Sequence, residues 1–251
     1  MLAAALASVG SFLIEPAEPV ERSRSAPDPV EQLRARPVVA VFGLARGCGT
    51  TTVARALAVE LASRDSANAA IVACESPAAG VRLATQPAAR LARSIQDYPR
   101  AHARAVGRLC LVHADLVLLI EGARHLAPMV LDAGSSGVGG VPASLADRTV
   151  LVTAPDAEPS LARVAADCLA RVGPEPVIVL NRVTEQQDGA RPDPGSESNG
   201  QVAGGHAHRD ARGSPIPLPD SRLGAQLALS GREPRGALGH AVVRLADRCH
   251  A

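Results

Sequence analysis

The chain contains no lysine: every one of its 26 basic residues is an arginine. A compositional bias toward arginine and alanine accounts for this globally, but the chemical consequence is local. No lysine elsewhere in the chain is at hand for a site that needs one. Aromatic residues are nearly absent, at 1% with no tryptophan. That argues against stacking platforms for single-stranded nucleic acid and leaves a core of Ala, Val, Leu and Ile, as suits buried parallel strands. The formal charge of +1 excludes a global pull toward DNA or acidic membranes. Arg90, Arg93, Arg100, Arg104 and Arg108 are spread among helical positions and read as solvated faces.

The five cysteines form no CxxC pair and their number is odd, so reduced cytoplasmic thiols are expected. The apolar opening MLAAALASVGSFLI lacks a basic start and is too short to span a bilayer. A Pro- and charge-rich stretch follows it, and residues 1–35 are expected to be a disordered tail.

What the chain does have begins at Arg36. PVVAVFG is an apolar, β-branched run ending in glycine, a buried strand meeting a loop. TTVARALAVELASR follows as a helix, with Val53, Leu57 and Leu61 at i, i+4, i+8. Further strands are expected at 69–76, 108–113, 127–134, 147–155, 175–183 and 214–220. A helix opened by Asp115, one between the strands at 147–155 and 175–183 that stops at Gly173-Pro174, and a last one over 238–249 with Val242, Leu245 and Ala246 inward complete the pattern. Residues 86–107 read as helical in places. Residues 184–213 are polar, rich in Gly, Pro, Ser and Asp, and read as a mobile loop within a 36–251 domain. His206 and His208 inside it read as linker rather than metal ligands. Repeated strand–helix–strand units predict an α/β fold, a mainly parallel sheet with helices on both faces. Such sheets bind ligands at the carboxyl ends of their strands.

The first strand–loop–helix reads Gly43-Leu44-Ala45-Arg46-Gly47-Cys48-Gly49-Thr50-Thr51-Thr52. In a phosphate-binding loop the glycines let backbone N–H groups curl around phosphate oxygens at a helix N-terminus. A lysine then reaches the β/γ-phosphates and a Ser/Thr hydroxyl binds Mg²⁺. Here Thr50 stands at the lysine position, and Thr51 remains for the metal. The other reading is a glycine-rich turn without a ligand.

This loop resembles the deviant Walker A sequence KGGxGKT[ST] of MinD/ParA ATPases, and especially the degenerate form in the pilus-localisation proteins CpaE and TadZ. In one alignment Ala45 takes the family's signature lysine and Arg46 a glycine; a one-residue slip puts Arg46 on the signature position. Three later features match in order. Asp132 resembles the strand-ending Asp that orients Mg²⁺ and the attacking water, followed here by Ala133-Gly134-Ser135-Ser136-Gly137 where the family usually has Pro-Gly. Asn181-Arg182 resembles the base-reading segment, and Pro219-Asp220 the segment that cradles adenine. Glu75 falls where family members often carry an Asp.

The resemblance implies a P-loop NTPase fold, ATP/ADP and Mg²⁺ as cofactors, and a homodimer closed across the nucleotide. It also implies a partner in pilus, secretion or cell-pole machinery. With Thr50 in place of lysine, nucleotide binding is expected to outlast hydrolysis, in a localisation or scaffolding protein. Two readings stay open beside it: a working ATPase in which Arg46 replaces the lysine, and a nucleotide-free interaction module.

Overall fold

The computed structural model describes residues 36–74, 83–135, 141–184 and 214–250. The N-terminal 35 residues, Glu75, Ser136, Gly137 and all of the 184–213 segment beyond Thr184, with His206 and His208, lie outside them.

In chain order the elements are β1 (Val38–Gly43), α1 (Thr50–Arg64), β2 (Ala70–Ala73), α2 (Gln86–Gln96), β3 (His102–Val106), β4 (Leu109–His113) and α3 (Leu116–Ala123). There follow β5 (Met129–Gly134), α4 (Val141–Leu145), β6 (Arg148–Thr153), α5 (Pro159–Ala170), β7 (Pro176–Val183), β8 (Ile216–Pro219), α6 (Arg222–Leu229) and α7 (Gly236–His250). The eight strands form one sheet in the order β3-β4-β2-β5-β1-β6-β7-β8. Among the described residues only β3 runs antiparallel, against β4; the remaining pairings are parallel.

β1 is buried along its whole length, because the sheet is covered on both faces. Val39 and Val41 enter one core, while Val38, Ala40 and Phe42 enter the other, as the two-residue period of a strand requires. α1, α6 and α7 cover the first face, and α2, α3, α4 and α5 the second. The α/β architecture expected from the sequence is therefore present, with helices on both sides.

α1 goes further than its Val53–Leu57–Leu61 stripe. Every residue from Val53 to Ala62 is buried, since the sheet packs on one side and α6 and α7 on the other. A fully buried leucine such as Leu57 contributes about 2 kcal/mol relative to exposure. The small alanines let neighbouring helices close in. The charged Arg64 rejoins solvent at the end of α1, donating to Glu60 at 2.7 Å and to Asp247 of α7 at 2.6 Å.

Two stretches depart from the sequence reading. Residues 86–107 are helix only to Gln96; His102–Val106 is the antiparallel edge strand β3. The alternation His-Ala-Arg-Ala-Val places Ala103 inward and Arg104 outward, and a charge on an edge discourages further pairing. α6 is likewise absent from the sequence pattern. Ser221 caps it, its hydroxyl accepting from the Gly224 N–H at 3.0 Å.

At the end of the sheet away from the site, Asp147 fixes the start of β1. It accepts from the Val38 N–H at 2.9 Å and from Arg124 Nη2 at 2.7 and 2.8 Å. Arg124 Nε donates to the Arg36 carbonyl at 3.1 Å.

Candidate functional site

β1 is the topological switch point of the sheet. β5 lies on one side and β6 on the other, so the loop after β1 opens into the crevice between them. At the strand end Val41 stands beside Asp132 and Phe42 beside Gly134, with a bulge between the two pairs. On the other side Gly43 is in register with Val152, and the Leu44 N–H donates to the Val152 carbonyl at 2.9 Å. The departure of the chain from β1 is thus held from both neighbours.

The loop turns on two glycines in the left-handed region, Gly47 at φ 80° and Gly49 at φ 91°. L-residues reach that region only at a cost. Ala45, Arg46 and Gly47 are exposed at its crown, and Cys48 is buried beneath it. The first helical hydrogen bond runs from the Val53 N–H to the Gly49 carbonyl at 3.0 Å. The amides of Thr50, Thr51 and Thr52 therefore precede the helical ladder and lie at its positive end. Among the described residues no side chain caps this helix.

Thr50 is turned inward, 7% exposed. Its Oγ1 lies 3.2 Å from Cys48 Sγ, and both atoms fill the space where Gly43 lacks a side chain. The hollow beneath the loop is packed by the loop's own residues. Thr51 is exposed at the start of α1, as a metal-binding hydroxyl would need to be. Arg46 is exposed, and no hydrogen bond or ion pair engages it among the described residues.

Asn181 reaches the loop from β7. Its Nδ2 donates to the Cys48 carbonyl at 2.8 Å, and the residue is 7% exposed. A Cβ on Gly49 would come within 2.1 Å of the same nitrogen, so glycine is needed there for space as well as for φ. Next to it, Arg182 adopts φ 65° at a register shift, where Asn181 pairs with Leu218 and Val183 with Pro219. A bulge re-aims a side chain. Here both Asn181 and Arg182 line one cavity of about 60 Å³, with Thr52, Pro219, Asp220 and Ser221 around it. The Asp220 N–H donates to the Val183 carbonyl at 3.1 Å, closing the turn after β8 onto β7.

The structure thus gathers the sequence-selected residues into two groups that share Asn181. Gly43, Gly47, Cys48, Gly49, Thr50, Thr51 and Arg46 form the loop, with Asp132 at the adjoining end of β5. Thr52, Arg182, Pro219 and Asp220 line the cavity beside it. Sequence reasoning missed the Val152 carbonyl, the bulge and Ser221. Only the Ser221 N-cap carried a readable signal, a serine directly ahead of a helix. Among the described residues no cluster of three His, Cys, Asp or Glu forms a metal centre, and no helix is long and apolar enough to cross a membrane.

No protein-family model matches the chain, and no curated protein matches it. Solved structures do. A ParA family ATPase from Chlorobium tepidum TLS superimposes with a TM-score of 0.51 at 16% identity, covering 84% of this chain and 99% of that one. The MinC:MinD cell division protein complex of Aquifex aeolicus gives 0.51 at 16% identity, covering 85% and 96%. The chain has the α/β fold of ParA- and MinD-type P-loop ATPases.

Proposed function

We propose that this chain binds ATP or ADP with Mg²⁺ and acts as a localisation or scaffolding protein of CpaE-like type, with weak or absent hydrolysis. The observation that carries the reading is the loop itself. Two left-handed glycines and three amides ahead of the helical ladder make a concave set of N–H donors suited to phosphate. The cavity at Arg182, Pro219 and Asp220 adjoins it where a purine would follow. The residues present fit the cofactor pair in part: Thr51 and Asp132 would hold Mg²⁺, and Asp132 would orient water. Mg²⁺, when bound, would neutralise charge on the phosphate oxygens.

The deficit lies at Thr50. Phosphoryl transfer depends on preorganised positive charge at the β/γ-oxygens, and a buried hydroxyl brings none. Binding is sustained by backbone amides, which do not depend on side-chain identity, so affinity survives the substitution better than catalysis. The two-protomer arrangement closed across nucleotide, and a partner in pilus, secretion or polar machinery, belong to the same proposal. Isothermal titration with Mg-ATP and with ADP tests it: weak saturable binding is expected. Silence for both at millimolar concentration would leave only the nucleotide-free interaction module.

A second reading rests on Arg46, exposed on the crown of the loop. In that reading Arg46, which has no hydrogen bond or ion pair among the described residues, would supply the missing cation in a working ATPase. Phosphate release that disappears in Arg46→Ala, with binding retained, would establish that reading in place of the first.

A further inference from the structure

His102 opens the edge strand β3, and the residue in register with it across the antiparallel pair is His113, the last of β4. Both are exposed. The two-residue period of each strand sets their direction. Val106 of β3 and Leu109 and Leu111 of β4 enter the core under α1, α6 and α7, while Ala103, Cys110 and Val112 enter the other. His102 and His113 therefore project from one face, with Cβ atoms about 5 Å apart, as directly opposed residues have. Arg104 follows on that face; it is exposed, and its long stem carries the charge into solvent.

The ring of His113 is already oriented. Its Nδ1 lies 3.4 Å from the Cys74 carbonyl, beside the end of β2. A carbonyl only accepts, so in this contact Nδ1 carries the proton and the lone pair is left on Nε2. Metal-binding histidines are held in the same way, one ring nitrogen donating to a backbone oxygen while the other coordinates. Two imidazoles on opposed positions can meet on one ion at about 2.0–2.1 Å each. The pair is one ligand short of the three-ligand centre that the described residues lack, and water would complete the coordination.

We propose that His102 and His113 form a two-histidine site for a divalent transition-metal ion that imidazole suits, Zn²⁺ or Ni²⁺, and that the ion clips β3 to the sheet. The clip falls where the sheet has least support. β3 is an edge strand with β4 as its one neighbour in the sheet, and it begins two residues after Arg100, which sits at φ 59°. The pair is on β4 and β3, beyond β2 and β5 from β1, so at least three strand spacings, about 14 Å, separate it from the phosphate loop. It does not depend on the nucleotide reading.

The full chain is titrated with Ni²⁺ and with Zn²⁺, as wild type and as His102→Gln and His113→Gln. Each substitution alone is expected to weaken binding about ten-fold or more, no less than the loss of an orienting partner costs. Without metal, both variants should melt with wild type, because both side chains are exposed. Metal is expected to slow backbone amide exchange over residues 101–113 in wild type and in neither variant, with α7 unchanged. In wild-type protein, Zn²⁺ should move the ¹⁵N resonance of His113 Nε2 and not that of Nδ1, a readout that needs no variant. Affinity retained in both variants, or lost only when His206 and His208 are replaced by Gln, would overturn the site. A shift at Nδ1 in place of Nε2 would do the same, and binding that leaves exchange over 101–113 unchanged would overturn the clip.

Discussion

Gly43 and Thr50 share one space: a Cβ on Gly43 would lie 2.1 Å from Thr50 Oγ1. The strand end and the helix start therefore touch through the absence of one side chain and the inward turn of another. Cys48 Sγ, 2.8 Å from the same point, completes the packing.

Gly43→Ala is expected to destabilise the protein by about 1–3 kcal/mol, the usual cost of inserting a methyl into filled space. Adding Thr50→Gly should recover part of it, because the clashing hydroxyl is gone. A denaturant double-mutant cycle measures the coupling. Additive effects would show that the two residues do not compete for the space.

Thr50→Lys tests what the loop lacks. The buried site below Gly43 has no room for a lysine stem, so the side chain must leave through the mouth of the loop, where phosphate would sit. Mg-ATP affinity is expected to rise about ten-fold, and phosphate release to become measurable, with a folding cost of about 1–2 kcal/mol from lost loop packing. Titration and a phosphate-release assay read the two effects separately. No gain in either would favour Arg46 as the working cation.

Arg182→Gly separates strain from charge. The arginine occupies φ 65°, which costs about 1–2 kcal/mol for a residue with a Cβ. The glycine variant should be no less stable than wild type, within the extra entropy of its unfolded chain, yet bind ATP more weakly. Thermal denaturation and titration of the one variant should therefore move in opposite senses, or the first not at all.

Away from the site, the turn after α6 is seated on the β3–β4 hairpin. Gly107 and Gly231 both have positive φ, at 55° and 68°, and a Cβ on Gly231 would meet the Val106 carbonyl at 2.0 Å. Gly231→Ala combines strain with a backbone clash. It is expected to lower stability by at least about 2 kcal/mol, read as a shifted urea midpoint with an unchanged slope.

The buried thiols set an alkaline limit. Burial pushes Cys110 from 9.0 to about 12, with a smaller push from Cys74. Burial also raises Cys249 to about 12, against the opposing pull of Arg148 and Arg64. In the unfolded chain both ionise near the ordinary value, so between about pH 9 and 12 the unfolded state holds fewer protons than the folded one. Their contribution is complete below pH 9 and is lost as pH climbs toward 12. Denaturation midpoints should fall over that window, and less steeply in Cys110→Ala/Cys249→Ala than in wild type. Exposed Cys168 should be alkylated first in native protein at pH 8.

Much of the sheet was legible in the chain. β1 and β6 are apolar β-branched runs buried on both faces, and such runs have few alternatives to a central parallel strand; β5 and β7 begin with similar apolar runs. β3 was not legible. Its two alanines and one arginine carry a helical composition, and only pairing with β4 makes His102–Val106 extended. α6 was hidden for a related reason: it is short, and its burial depends on α1 and α7 packing against it.

The sequence by itself determined most strands of the sheet and the helices between them, the glycines of the loop and the loss of lysine at position 50, because these follow from local composition and period. Only the tertiary structure decided that Thr50 points inward against Gly43, that Asn181 grips the Cys48 carbonyl, and that a bulge aims Arg182 into the same cavity. Those contacts join residues up to 133 positions apart. No local propensity encodes them; they exist because parallel strands bring their carboxyl ends together on one edge of the sheet.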